Sequence, residues 1–225
     1  MVLAFLKTNW WKLLGILLVL YSIIFGFLGA VPALDILNES IRNLYFHVPM
    51  WFAMIGLLIG SLVHSIKYLS KQKLVSDFAS ASLNHVALLL GFLGILTGML
   101  WAKSTWGTYW TNDPKLNGVA IGMLIYLAYM ILRSAIDDEE KRARVAAVYN
   151  VFAFPLFVVL ILVLPRLTDS LHPGNGGNPG FNNYDLKDNM KPVFYAAVLG
   201  WNLIGFWMAS ILLRLDKLNH KIENV

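Results

Sequence analysis

Six stretches long and apolar enough to cross a lipid bilayer dominate this 225-residue sequence. A spanning helix needs about 20 apolar residues, because each residue rises about 1.5 Å through a hydrocarbon layer about 30 Å thick. Trp11–Val31, Val48–Ile66, Leu83–Trp101, Gly118–Leu132, Val145–Leu164 and Val193–Leu213 meet or approach that length, the fourth drawing on its flanks. The first follows Lys7 and Lys12, as a secretory signal would. Its apolar part runs from Leu13 to Ala30, beyond the ~7–15 residues of a cleavable core, so it is expected to be retained. Composition agrees, with 58% hydrophobic and 14% charged residues where a soluble domain carries about 25% charged. The expected fold is an all-α integral membrane protein of six transmembrane helices, a single polytopic domain over residues 1–225. Disordered chains, secreted disulfide scaffolds and soluble α/β enzymes do not fit. The absence of cysteine removes thiolate metal sites, iron–sulfur clusters and cysteine nucleophiles.

The net charge of +5 reads as topology once its positions are mapped. Lys7, Lys12, Lys67, Lys71, Lys73, Arg133, the run Lys141–Arg144, Arg214, Lys217 and Lys221 fall on one side of the spans. Arg42, Lys103, Lys115, Arg166, Lys187 and Lys191 fall on the other. The side richer in Lys and Arg is the cytoplasmic one. Both termini are therefore expected in the cytoplasm, three loops outside, and no nucleic acid as a partner. The inner connections, Lys67–Lys73 and Asp137–Arg142, read as solvated charged faces.

The outer loops are less ordinary. In the first, Leu34, Leu37, Ile41, Leu44 and Tyr45 recur at helical spacing, which predicts a short helix lying in the interface. The second, within residues 101–117 between the third and fourth spans, is rich in aromatics. If its first part is helical, Trp106, Tyr109, Trp110 and Asp113 share one face at i, i+3, i+4 and i+7. Pro114 disfavours a helical Asp113 and helps close that segment, and Gly107 would let another surface approach. The third, Leu167–Met190, is rich in Gly, Asn and Pro and is expected to be irregular.

Topology also sorts the five histidines. His47 and His172 fall outside, His64 and His85 near the inner ends of the second and third helices, and His220 in a solvated tail. A lone imidazole at a membrane boundary needs no role beyond bonding water. Two that face one aromatic loop form a stronger constellation. Haem iron takes two axial ligands, and without cysteine the strong donors left are His and Met. Against this, Trp and Tyr favour membrane interfaces in any case, which accounts for Trp10, Trp11, Trp51, Trp201 and Trp207; Trp101 fits either role.

Trp106-Gly107-Thr108-Tyr109-Trp110 followed by Asp113 resembles the tryptophan-rich WWD signature of bacterial haem-handling proteins. Arg42-Asn43-Leu44-Tyr45-Phe46-His47-Val48-Pro49 resembles the first histidine motif of the CcmC type, the haem-handling subunit of cytochrome c maturation. Leu171-His172-Pro173 falls where that family has its second external histidine, and the likeness covers nearly the whole chain. The resemblance implies a protein that holds haem b, as transient cargo, on the periplasmic side of the bacterial inner membrane and presents it to a CcmE-like periplasmic haem chaperone. It implies His47 and His172 as axial ligands, Trp106, Tyr109 and Trp110 as a platform, and Asp113 orienting loop or partner groups. Arg42 and Lys115 stand where the family carries basic residues suited to propionates. An ABC-type pair and a small membrane subunit are the other implied partners. Two departures stand out. Asn112 replaces an aromatic before the Asp, and Lys115 replaces an Arg, giving a point charge in place of a bidentate fork.

Other functions compete. A di-haem electron-transfer cytochrome would use His64 and His85 for a second iron. A haem permease would need polar or small residues lining a cavity, whereas Gly91, Gly94 and Gly98 suit close helix packing, and Thr97 adds little to the case for transport. No nucleotide-binding loop or catalytic triad is present, so the chain is not expected to be an enzyme. In a handover, His172, beside Pro173-Gly174-Asn175-Gly176-Gly177, is expected to let go before His47, which begins a helix near Pro49.

Overall fold

The computed structural model describes residues 2–173 and 186–223. Within them the apolar stretches are all helical, as they must be if no water is available to bond exposed backbone groups. The helices are α1 (Val2–Leu28), α2 (Leu44–Lys71), α3 (Leu74–Trp106), α4 (Pro114–Ser134), α5 (Glu139–Val158), α6 (Leu164–Leu167) and α7 (Lys191–Glu223). A π turn, Val159–Val163, joins α5 to α6, so six helical rods are long and apolar enough to cross a membrane, as expected. The observed helices overrun the expected spans at most ends, because polar and charged residues continue the rods past the apolar core.

The central packing lies between α2, α3, α4 and α5, where Met54, Leu57, Leu58, Ala87, Leu90, Tyr126 and Phe157 form the buried core. The surface is the reverse of a soluble protein's. Leu17 and Phe27 on α1, Leu124 and Ile131 on α4 and Phe152 on α5 are more than 60% exposed, as suits rods that face hydrocarbon. Small residues let the rods approach: a Cβ on Gly91 would meet the sulfurs of Met54 and Met123 at 2.6 Å, and one on Gly122 would meet Phe157 at the same distance. Close packing at Gly91, Gly94 and Gly98 therefore holds as expected.

Several polar groups inside the bundle are paired across helices. Asn150 donates to Ser61 Oγ at 2.8 Å and to Ser65 Oγ at 2.9 Å, tying α5 to α2, while Ser61 donates to the Ser80 carbonyl on α3 at 2.9 Å. Arg133 on α4 forms a two-pronged ion pair with the buried Asp77 on α3, at 2.6 and 2.8 Å. The guanidinium also lies 5.8 Å from the Tyr129 ring centroid.

The ends of the rods differ. At one end the connections are tight: Gln72 takes φ 49° to close α2 and donates its N–H to Tyr68 O at 2.7 Å. Asp138 caps α5 by accepting from the Lys141 amide at 2.7 Å, and Glu139 and Glu140 sit in the first turn, where acidic groups favour the helix dipole. The acidic run is thus more than a solvated face. His220 is not merely solvated either. Its Nδ1 lies 3.2 Å from Glu139 Oε2 and its ring stands edge-on to Phe78, locking the end of α7 to α5 and α3. Asp216 adds to that lock by accepting from Ser82 Oγ at 3.0 Å.

The other end gathers the segments between α1 and α2 and between α3 and α4, with residues 168–173 and 186–190. The expected interfacial helix is a 3₁₀ segment, Asn38–Asn43, that runs directly into α2. Its apolar face is covered by protein: Ile41, Leu44 and Tyr45 pack with Leu186, Met190, Val193 and Phe194 at the start of α7. Beneath these segments the π turn precedes Pro165, whose missing N–H interrupts the α-helical ladder, and the Leu164 amide reaches back to Val159 O. The turn pushes the Leu160 carbonyl against α4 at Gly118, where an added Cβ would collide with it.

Removing Arg133 strands a buried carboxylate. Arg133→Ala is expected to cost about 3–5 kcal/mol, read as a large drop in thermal midpoint in detergent, while Asp77→Ala combined with Arg133→Ala costs less than Arg133→Ala alone.

Candidate functional site

The aromatic segment after α3 is governed by Gly107. The helix includes Trp106 and stops at Gly107, whose φ of 77° is open to a residue without a Cβ and strained for others. The Gly107 amide donates to Lys103 O at 3.2 Å, and Lys103 Nζ returns a bond to Gly107 O at 2.8 Å. The expected helical face through Trp106, Tyr109, Trp110 and Asp113 is therefore not formed, because the left-handed residue ends the helix one position into it. Nothing lies within 4 Å of where a Gly107 Cβ would stand, so this glycine serves the turn and not a close approach. Trp106 remains on the helix, partly buried. Tyr109 and Trp110 lie on the loop, 50% and 36% exposed, with the Lys103 ammonium 5.5 Å from the Tyr109 ring centroid.

Asp113 takes the extended conformation that Pro114 favours and caps α4, with Pro114 as first helical residue. Its Oδ1 accepts from the amides of Lys115 at 2.9 Å and Leu116 at 3.3 Å. Its Oδ2 accepts from the Leu171 amide at 2.7 Å and Ser170 Oγ at 2.9 Å. Oδ1 also lies 3.0 Å from His172 Nδ1. Burial on its own would raise the Asp113 carboxyl. The hydrogen bonds from His172, Leu171 and Ser170 outweigh that and hold it well below the usual carboxylate range. An ionised Asp113 can only accept, so His172 Nδ1 carries a proton and Nε2 of a neutral ring is left with its lone pair. Trp106 stands edge-on to the His172 ring at 5.0 Å between centroids.

His47 sits on the first turn of α2, held against α3. Its Nδ1 lies 2.9 Å from the Gly94 carbonyl and 3.2 Å from Thr97 Oγ1. A backbone carbonyl has no proton to give, so Nδ1 is again the donor and Nε2 the free base. Trp51 and Trp101 stand edge-on to the ring, with centroids at 6.2 and 5.9 Å. The segment before α2 is tied to the same turn of α3 by Asn43, which donates to Thr97 O at 2.8 Å. His172 and Lys115 both fall within electrostatic reach of His47.

The remaining sequence candidates are placed differently. Arg42 is committed to the end of α1: it donates to Gly26 O at 3.0 Å and Gly29 O at 2.6 Å and pairs with Glu39 at 2.7 Å. Lys115, part-buried on the first turn of α4, lies within electrostatic reach of Arg166 and Asp113. His64 is seventeen residues beyond His47 on α2, about 25 Å along the rod at 1.5 Å per residue. His85 bonds the Ala81 carbonyl at 2.8 Å. Among the described residues no group of three His, Asp or Glu could hold a metal ion. The glycine-rich stretch after Pro173 lies outside the described residues. Sequence reasoning missed Ser170, which supports both Asp113 and the His172 amide (the latter at 3.2 Å), and Thr97, whose hydroxyl meets His47. No local pattern marks either, because each acts across two segments far apart in the chain.

The chain matches the family model described as CcmC, heme exporter protein C, over residues 1–224. Heme exporter protein C of Rhodobacter capsulatus is 24% identical over 208 residues, spanning 92% of this chain and 83% of that protein. The protein of that name from Escherichia coli K12 is 24% identical over 213 residues, spanning 95% and 82%. The one from Bradyrhizobium diazoefficiens reaches 36% over 112 residues, 49% of this chain and 42% of its own length. The match to the family model is end to end, and the chain belongs to the CcmC family, heme exporter protein C.

Proposed function

We propose that this protein holds haem b as cargo at the outer face of the bacterial inner membrane and delivers it to a periplasmic, CcmE-like haem chaperone for cytochrome c maturation. The carrying observation is the pair of outer imidazoles, each fixed through Nδ1 by an acceptor and each keeping Nε2 for iron. An acceptor bonded to Nδ1 sets both the tautomer and the orientation of a histidine that binds metal through Nε2. The residues around the pair suit a porphyrin as well. Trp106 and Trp101 flank His172 and His47, and Tyr109 and Trp110 offer exposed ring surface. Trp101 Nε1 and Thr111 Oγ1 are buried with no hydrogen-bond partner among the described residues, as expected of donors kept for a ligand's acceptors. Lys115 is the better-placed propionate partner, since Arg42 already serves the α1 carbonyls.

The two ligands are held unequally. His47 belongs to a helix packed against α3. His172 follows α6 on a short segment whose grip on α4 runs through the Asp113 carboxylate. Handover needs one axial bond to break, and loosening Asp113 frees His172 while leaving His47 in place. The chain acts here as a binding and delivery protein, not an enzyme, alongside an ABC-type pair and a small membrane subunit.

Purified protein given ferric haem is expected to show a six-coordinate, low-spin absorption spectrum, and His47→Ala and His172→Ala each to convert it to a different species. Spectra unchanged in both variants would overturn the proposal. Asp113→Ala is expected to cost about 1 kcal/mol as a lost helix cap and to speed haem loss as His172→Ala does. Asp113 is depressed when folded, so its contribution to docking residues 170–172 is constant above about pH 4, where a free carboxyl titrates, and fades only as pH falls through its lowered folded value. Tryptophan fluorescence of the haem-free protein, compared with Asp113→Asn between about pH 8 and pH 5, checks this through Trp106, and a pH drift in the parent that Asp113→Asn lacks would contradict it.

A further inference from the structure

We propose that one turn of α3, Gly94–Gly98, is a cradle that positions the His47 imidazole for iron, with Thr97 and Gly98 as its positioning residues. This rests on the haem-binding function proposed above. The His47 ring lies against that turn. A Cβ on Gly98 would come within 2.6 Å of His47 Cε1 and 3.2 Å of Nδ1, so the ring occupies space that only glycine leaves empty. Gly94 performs two tasks at once: its carbonyl takes the Nδ1 proton at 2.9 Å, and its missing side chain admits Trp51, whose ring would meet a Cβ at 2.8 Å. The ring is then bounded by α3 and by the edge-on Trp51 and Trp101, so it cannot turn away from Gly98 without losing the bond to Gly94.

Thr97 completes the cradle through its hydroxyl. That hydroxyl has acceptors at the Leu93 carbonyl, 2.9 Å away, and the Gly94 carbonyl, 3.1 Å away, and gives its proton to them. Its lone pair is left facing His47 Nδ1 at 3.2 Å. Nδ1–H is thus shared between two acceptors, and each draws the proton away from the ring and makes Nε2 a stronger donor to a metal. Asn43 fixes the register by holding the Thr97 carbonyl one turn before His47 on the partner segment. Close packing of α2 on α3 alone asks for small residues at Gly94 and Gly98. It does not ask for a hydroxyl aimed at an imidazole nitrogen.

The test loads ferric haem onto the purified full-length protein and reads absorption, low-temperature electron paramagnetic resonance and midpoint potential for Gly98→Ala, Thr97→Val, Thr97→Ser and His47→Ala. Gly98→Ala is expected to lose the parental low-spin signal as His47→Ala does. Thr97→Val keeps the shape of the side chain and removes the acceptor. It is expected to retain six coordination with altered g values and a higher midpoint potential, since a less basic imidazole stabilises ferric iron less. Thr97→Ser is expected to restore the parental values. If His47→Ala leaves the spectrum unchanged, the haem-ligand assignment itself falls. If His47→Ala changes it while Thr97→Val matches the parent in g values and potential, the cradle is overturned and the ligand assignment stands. Should Gly98→Ala fail to fold, the Thr97 pair still decides.

Discussion

The Asp113 carboxylate is the point on which the candidate site depends. One side chain caps α4, anchors residues 170–172 through an amide and a hydroxyl, and fixes the His172 ring. Each bond supplies part of the compensation that a buried carboxylate requires. No single one would hold the charge there, since desolvation of an ionised group outweighs any one hydrogen bond. The group is kept ionised by the loop it organises, and the loop is organised because the group is ionised. His47 shows the complementary design. Its acceptors are a backbone carbonyl and a hydroxyl on a packed helix, which do not depend on any loop being in place.

The two ends of the bundle divide the work. One end closes with a two-residue connection at Gln72 and Lys73, a capped α5 and the lock of His220 and Asp216 onto α5 and α3. The other carries irregular backbone, the exposed rings and the imidazoles of His47 and His172. A bilayer enforces this separation, since non-helical backbone is tolerated only outside the hydrocarbon or where protein covers it. The polar groups within the rods, Asp77 with Arg133 and Asn150 with three serines, hold the helices in fixed register beneath the site.

How far the sequence reveals this depends on the range of each interaction. Six helices were legible because apolar length is a local property. Their ends were not, since Leu44 and Lys71 extend α2 through capping and tertiary contact. His47 and His172 were paired in the sequence by the charge pattern of the segments between spans, which is also a local property. The role of Asp113 was legible in outline, as an orienting group. Its double duty as helix cap follows from Gly107 ending α3, a left-handed turn that helical spacing does not foresee. Arg42 carries a positive charge in a motif suited to anions, yet it is used by carbonyls at the end of α1, thirteen and sixteen residues earlier. Thr97 is an ordinary helical threonine until the register of α2 against α3 is known.

The π turn at Val159–Val163 amounts to one surplus residue accommodated inside a transmembrane rod. A regular helix advances about 100° per residue, so everything downstream of the bulge is rotated by that amount relative to an uninterrupted rod. Pro165, Arg166 and the segment bearing His172 owe their azimuth to this surplus, and Gly118 gives the displaced Leu160 carbonyl somewhere to go. Excising one residue from the bulge would straighten the rod and swing the second imidazole to another face of the bundle, without touching any residue of the site.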